Sequence, residues 1–297
     1  MRDLSRRQFV LTSLTILTLP RAARGARRSS LRFGMLTDSH YADYASRGNR
    51  HYRESLAKMR ECVDSMQEQG VEFLIELGDF NDGAAKPPVE DALRYLARIE
   101  AEFARFDGPR YHVLGNHNMD ALSKPQVLSQ IRNTGIDPER SFYCLDHAGL
   151  RCIVLDANFR ADGVAYEQGN FQWTDANIPA AQLEWLAQQL DASPHPVIVF
   201  IHQLLDGEGN IFVNNAAEVR QLLEASGKTL AVFQGHHHSG SHRQLNGIHY
   251  YTLRAMVEGS GAENSSYAVV DVQPDQIVVE GYRRAVDQTM PRVETDG

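Results

Sequence analysis

Five short polar clusters stand out for the chemistry of their side chains: Asp38-Ser39-His40, Gly78-Asp79-Phe80-Asn81-Asp82, Gly115-Asn116-His117-Asn118, His202, and Gly235-His236-His237-His238. Imidazole and carboxylate donors with one Asn carbonyl and no thiolate suit Mn, Fe or Zn. The three cysteines, Cys62, Cys144 and Cys152, have no CxxC spacing, so a thiolate zinc or iron–sulfur site is not indicated. Taken singly, each cluster reads equally well as turn-forming Gly, Asn and Asp beside histidines satisfied within a fold. That bland reading accounts for one or two clusters. It strains to explain why all five follow apolar runs.

Those runs are the elements that must position the clusters. Leu31 to Leu36 and Val71 to Leu77 read as strands, joined by a helix on which Leu56, Met59, Val63 and Met66 recur at helical spacing. Leu93, Leu96, Ile99 and Phe103 mark a second helix, opened by Pro87-Pro88, before a strand from Tyr111 to Leu114. Phe142 to Leu145 and Cys152 to Leu155 form a hairpin around Ala148-Gly149, across which Cys144 and Cys152 could face one another; two reduced cysteines fit strand geometry better. Asn158 to Pro179 has no periodicity, as in a binding loop. A helix carrying Leu183, Leu186 and Leu190, the buried strand Pro196 to Ile201, a helix over Glu218 to Ala225 and the strand Leu230 to Phe233 follow. Ile248 to Leu253, Tyr267 to Val272 and Ile277 to Val279 close the chain as strands. Alternation followed by consecutive strands predicts an α/β core with a partly antiparallel sheet. Ligands in such folds bind beyond strand carboxyl ends, so clusters two hundred residues apart can converge.

The order D-x-H, G-D, G-N-H, H, G-H-x-H resembles that of the calcineurin-like metallophosphoesterase superfamily. The resemblance implies a central β-sandwich of two mixed sheets flanked by helices. It also implies two divalent metal ions, one on Asp38, His40 and His238, the other on Asn116, His202 and His236, with Asp79 bridging. Two cations about 3.5–4 Å apart clamp a phosphoryl oxygen and acidify a bridging water, giving hydroxide for in-line attack near neutral pH. His117 matches the histidine expected to stabilise the transition state or protonate the leaving oxygen, and His237 is expected to point outward.

A narrower resemblance covers nearly all of the chain after the N-terminal segment. Phe33 to Asp38, His40-Tyr41-Ala42-Asp43, Arg50-His51-Tyr52-Arg53-Glu54-Ser55-Leu56, Leu253 to Gly259 and Gly281 to Met290 are similar to the manganese-dependent ADP-ribose/CDP-alcohol diphosphatases. Animal members usually carry Gln where this chain has His40, a softer donor that favours Fe or Zn over Mn. Purple acid phosphatases place Tyr three residues after the bridging Asp; Asp82 stands there, against a ferric site. The substrate this implies is a nucleoside-diphosphate-linked small molecule, hydrolysed at its pyrophosphate bond. The alternatives are a phosphomonoesterase or cyclic-nucleotide phosphodiesterase on the same site, and a metal-binding protein without turnover. Arg50, Tyr52 and Arg53, at the start of a helix, are the candidate substrate contacts, with Arg160 a further guanidinium. Tyr41, Tyr52, Phe159, Phe171 and Trp173 are candidates to stack a base.

Composition bounds the rest. The chain has 297 residues, 42% hydrophobic and 23% charged, which excludes disordered, collagen-like and disulfide-scaffold classes. Its formal charge of −8 offers no broad attraction to nucleic acid or anionic lipid. Ser5-Arg6-Arg7-Gln8-Phe9-Val10-Leu11 resembles a twin-arginine export signal, against a basic, frayed helix as the alternative. Export would use the twin-arginine machinery and place the protein in the periplasm or otherwise outside the cytoplasm. Residues 1–25 form the expected signal peptide and 30–297 a single domain, with no stable membrane insertion expected. Removing the signal's five Arg and one Asp takes the charge from −8 to −12.

Overall fold

The computed structural model describes residues 31–292. The expected signal peptide lies outside them. The strands are β1 (Leu31–Leu36), β2 (Phe73–Glu76), β3 (Arg110–His112), β4 (Tyr143–His147), β5 (Leu150–Val154), β6 (Val197–Ile201), β7 (Thr229–Gln234), β8 (Ser241–Leu245), β9 (Ile248–Thr252), β10 (Ser266–Val272), β11 (Gln276–Arg283) and β12 (Gln288–Pro291). The helices are α1 (Ser55–Gln69), α2 (Val89–Phe103), α3 (Lys124–Leu128), α4 (Ala180–Ala192) and α5 (Ala216–Ala225). The strands form two six-stranded mixed sheets, ordered β12-β11-β10-β1-β2-β3 and β4-β5-β6-β7-β9-β8.

Strand alternation divides the apolar side chains among three layers. Phe33 and Met35 of β1, Phe73 and Ile75 of β2, Ile198 and Phe200 of β6 and Phe233 of β7 meet between the sheets. Phe33 is central there, stacked on Phe73 at 5.0 Å and meeting Phe200 and Phe233 edge-on at 5.5 and 5.6 Å. Truncating it to Ala would cost about 3–5 kcal/mol. The outer face of the first sheet, with Leu36 and Leu74, packs on Met59, Val63 and Met66 of α1 and Leu96 and Ile99 of α2. Gly34 lets α1 approach: a Cβ there would lie 2.5 Å from Met66 Sδ. The outer face of the second sheet, with Val199 and Ile201, packs on Leu186 of α4 and Val219 and Leu223 of α5. Burial on both faces explains why β6 is a continuous apolar run.

The hairpin register pairs Cys144 with Ile153 and Cys152 with Leu145. The two cysteines therefore occupy opposite faces, and all three cysteines are free thiols. The strands β8 and β12, which the apolar pattern does not reveal, lie at sheet edges, where exposed faces carry polar residues.

Candidate metal centre

Strands β1, β2 and β3 run parallel, as do β6 and β7, so their carboxyl ends deliver the polar clusters to one rim of the sandwich. The turns that do so are tightly built. Asp38, His40, Asp79 and His236 have φ values of 53°, 45°, 56° and 65°, a left-handed conformation that costs non-glycine residues on the order of 1–3 kcal/mol each. Backbone bonds between turns hold them: Asp38 N–H donates to Gly78 O at 2.9 Å and His40 N–H to Asp79 O at 2.8 Å. Two glycines permit the convergence. A Cβ on Gly115 would lie 2.2 Å from Asp79 N, and one on Gly235 would lie 2.1 Å from Thr37 Oγ1.

Six of the predicted ligands fall into two trios whose donor atoms lie within 4.8 Å of one another: Asp38, His40 and His238, and Asp79, His202 and His236. His40 Nε2 is 3.2 Å from His238 Nε2, and Asp38 Oδ1 lies 3.5 and 3.4 Å from these nitrogens. Asp79 Oδ2 lies 3.1 Å from His202 Nε2 and 3.6 Å from His40 Nε2, between the trios. Asn116 is buried beside the second trio's strand ends, its Oδ1 without a hydrogen-bond partner. Asp38 Oδ1 and His202 Nε2 are likewise buried and unbonded. Unsatisfied buried donors and acceptors cost about 1–3 kcal/mol each, and a cation satisfies this set. His237 belongs to neither trio.

The far nitrogens of three imidazoles are fixed, which turns Nε2 toward the centre. His40 Nδ1 pairs with Asp82 Oδ2 at 2.9 Å, His238 Nδ1 with Glu258 Oε1 at 2.7 Å, and His202 Nδ1 with Leu77 O at 2.8 Å. Of these two supporting carboxylates, Glu258 is not among the sequence candidates, and Asp82 enters there only as the residue three after Asp79, not as a partner of His40. Lys58, buried in α1, donates to the carbonyls of Met256, Glu258 and Gly259 at 2.9, 3.0 and 2.6 Å and so fixes the segment carrying Glu258.

The electrostatics suit cation binding. Burial raises Asp38, but the neighbouring imidazoles of His238 and His40 override it and hold the carboxyl well below its usual range. Asp79 is lowered in the same way by His202 and His117 against burial. Burial would lower His202 and His238, yet Asp79 raises the first and Asp38 the second, each to about 9. Burial, with His202 nearby, holds His236 neutral at about 3, its lone pair free to donate. His117 is raised to about 10, against burial, by Asp79 and Asp120.

A cleft of about 600 Å³ opens over this rim, lined in part by Asp79, Asn116, His117, His236 and His238. Arg50 and Tyr52 reach it, together with Arg47, which the sequence reading did not single out. Arg53 does not: it is exposed and bound to Asp43 Oδ1 at 2.6 Å. Arg160 likewise pairs with Asp162. Of the five aromatic candidates, Tyr52 and Trp173 line the cleft. Tyr41 is buried, Phe171 stacks on Tyr166 at 3.8 Å, and Phe159 covers Lys124 Nζ at 3.6 Å.

No family profile matches the chain. Among curated proteins it is similar to the manganese-dependent ADP-ribose/CDP-alcohol diphosphatase of Oryza sativa subsp. japonica, with 27% identity over 87% of this chain and 93% of that protein. Proteins of the same name from Danio rerio and Homo sapiens are 25% and 21% identical over 87% and 91% of this chain and 97% and 95% of their own. Among solved structures, a dimetal phosphatase from Danio rerio matches with TM-score 0.78 and 23% identity, covering 89% of this chain and all of that one. A purple acid phosphatase from Lupinus luteus matches at TM-score 0.59 and 14% identity over 89% of this chain and 54% of that one. The chain therefore has the calcineurin-like metallophosphoesterase fold and resembles, over most of its length, the manganese-dependent ADP-ribose/CDP-alcohol diphosphatases.

Proposed function

We propose that the protein is a metal-dependent hydrolase that cleaves the phosphoric anhydride bond of a nucleoside-diphosphate-linked small molecule such as ADP-ribose or a CDP-alcohol. The observation that carries the reading is Asp79 Oδ2 standing between two histidine–aspartate trios, the arrangement a bridging carboxylate needs. Asp38, His40 and His238 would hold one divalent ion and Asn116, His202 and His236 the other. Such a pair supplies positive charge to the phosphoryl oxygens and an activated water as nucleophile.

The remaining chemistry belongs to this chain's own groups. His117 Nδ1 is engaged by Asp120 Oδ2 at 2.5 Å, so Nε2 is the atom free to deliver a proton to the leaving oxygen. Asp120 supports the protonated ring without being one of the candidate ligands. The backbone N–H of His117 donates to Asp79 Oδ1 at 2.8 Å, which ties the acid to the bridging carboxylate. Arg47 and Arg50 supply the positive field that a net-negative protein needs for a dianionic substrate.

Under saturating Mn, ADP-ribose or CDP-choline should be hydrolysed to a nucleoside monophosphate with a higher kcat/KM than p-nitrophenyl phosphate or a cyclic nucleotide. A monoester or cyclic nucleotide that outperforms every pyrophosphate-linked compound under Mn, Fe and Zn would overturn the substrate assignment. Export rests on Arg6-Arg7: replacing both with Lys should trap the precursor in the cytoplasm, and unchanged export would rule out the twin-arginine route.

A further inference from the structure

We infer that Trp173 is the platform on which the substrate's nucleobase stacks. The inference rests on the reading of the site as one for nucleoside-diphosphate-linked molecules and assigns the residue that recognises the base. Trp173 is 46% exposed, and among the described residues only Val164 and Val286 are other large hydrophobics so bare. Neither of those lines the cleft, whereas the Trp173 ring centroid lies 5.7 Å from that of His236.

The ring is bare while the chain around it is pinned. Gln172 O, one residue away, accepts from Tyr166 Oη at 3.2 Å and from Asp175 N–H at 2.9 Å. Phe171 is stacked on the buried Tyr166, and Asp175 Oδ1 accepts from Asn177 Nδ2 at 3.0 Å. A large aromatic face held open on an ordered loop loses little entropy when a flat partner covers it. Every base offers such a π-face, which a ribose or a phosphate lacks. Tyr52, the other aromatic of the cleft, is 6% exposed and has no free face of that size. With Trp173 beside His236 and the guanidinium groups of Arg47 and Arg50 on the same cleft, the base and the phosphates are bound by separate groups.

The chain has two tryptophans, and Trp185 packs edge-on against Phe142 at 5.0 Å on α4, away from the cleft, so Trp185→Phe isolates the Trp173 fluorescence. AMP or CMP added to the Mn-loaded W185F protein should quench that emission saturably, while ribose 5-phosphate and inorganic phosphate should not. In parallel, Trp173→Ala should lower the ratio of kcat/KM for ADP-ribose to that for dimethyl pyrophosphate about tenfold, and Trp173→Phe should restore most of it. Equal quenching by ribose 5-phosphate and AMP, or an unchanged ratio in W173A, would overturn the assignment. Quenching by AMP in a protein that hydrolyses none of these compounds would instead sink the hydrolase reading and leave the base platform standing.

Discussion

Replacing Asp120 tests how His117, the proposed proton donor, is held. His117 Nδ1 is 2.5 Å from Asp120 Oδ2 and 3.8 Å from Asp82 Oδ2, and the Asp82 oxygen is already engaged by His40 at 2.9 Å. Asp120 is therefore the partner that fixes the ring. Asp120→Asn keeps an acceptor and removes its charge. A hydrogen bond to a charged group is worth about 1.5–3 kcal/mol and a neutral one about 0.5–1.5, so the loss is about 1.4 kcal/mol, or tenfold in kcat. Asp120→Ala removes the contact altogether and should cost about 10²-fold, within the 10²–10⁴ range for a general acid. The assay compares a substrate whose leaving oxygen needs a proton with bis(p-nitrophenyl) phosphate, whose phenolate leaves unaided. The loss should appear in kcat on the first and be largely absent on the second, and D120A should add little to His117→Ala because the two act through one group. Equal losses on both substrates, or additive losses in the double variant, would refute the positioning role.

Three further outcomes are expected. Glu258→Gln should weaken one of the two bound metals by about 10–100-fold in a chelator competition, because His238 loses the carboxylate 2.7 Å from its Nδ1; two unchanged affinities would contradict this. Gly235→Ala should destabilise the apo-protein by about 1–3 kcal/mol in urea, since the added carbon meets Thr37 Oγ1 at 2.1 Å and Asp38 Oδ2 at 3.0 Å, and a midpoint like wild type would show that the turn relaxes freely. His112, between Glu100 at 3.2 Å and Glu76 at 3.4 Å, is raised to about 9 by these carboxylates against its burial. A raised histidine contributes stability that is complete below about pH 6.5 and is lost as pH rises through about 9. The wild-type denaturation midpoint should thus fall between pH 7 and 9.5 more steeply than that of His112→Gln, and parallel curves would remove His112 from the account.

The polar clusters of the candidate site were legible because each pairs a short apolar run with a polar turn, and the parallel strands of both sheets bring those turns to one rim. What the pattern could not carry was long-range pairing. Nothing local in Glu258 points to His238, twenty residues earlier, and Asp120 reads as a turn residue until the 3-10 turn Asn116–Met119 folds it under His117. Arg53 shows the opposite error. It shares a motif with Arg50 and Tyr52, yet the three-residue 3-10 turn Tyr52–Glu54 sends it outward to Asp43 while Tyr52 faces the cleft. The edge strands β8 and β12 escaped for a related reason: with one face in solvent, Ser241–Leu245 and Gln288–Pro291 have no apolar run to betray them. Trp173, by contrast, was one of five equivalent aromatics until burial separated it from Tyr41 and Phe171.

The central claim is that one carboxylate, Asp79, serves two cations at once. Elemental analysis of purified protein dialysed against Mn, wild type beside Asp79→Asn, tests it directly. An amide in place of the shared carboxylate leaves the repulsion of two cations uncompensated, so the account predicts two metals per chain in the wild type and loss of both together in the variant. Two metals retained by Asp79→Asn, or one metal in the wild type, would contradict it.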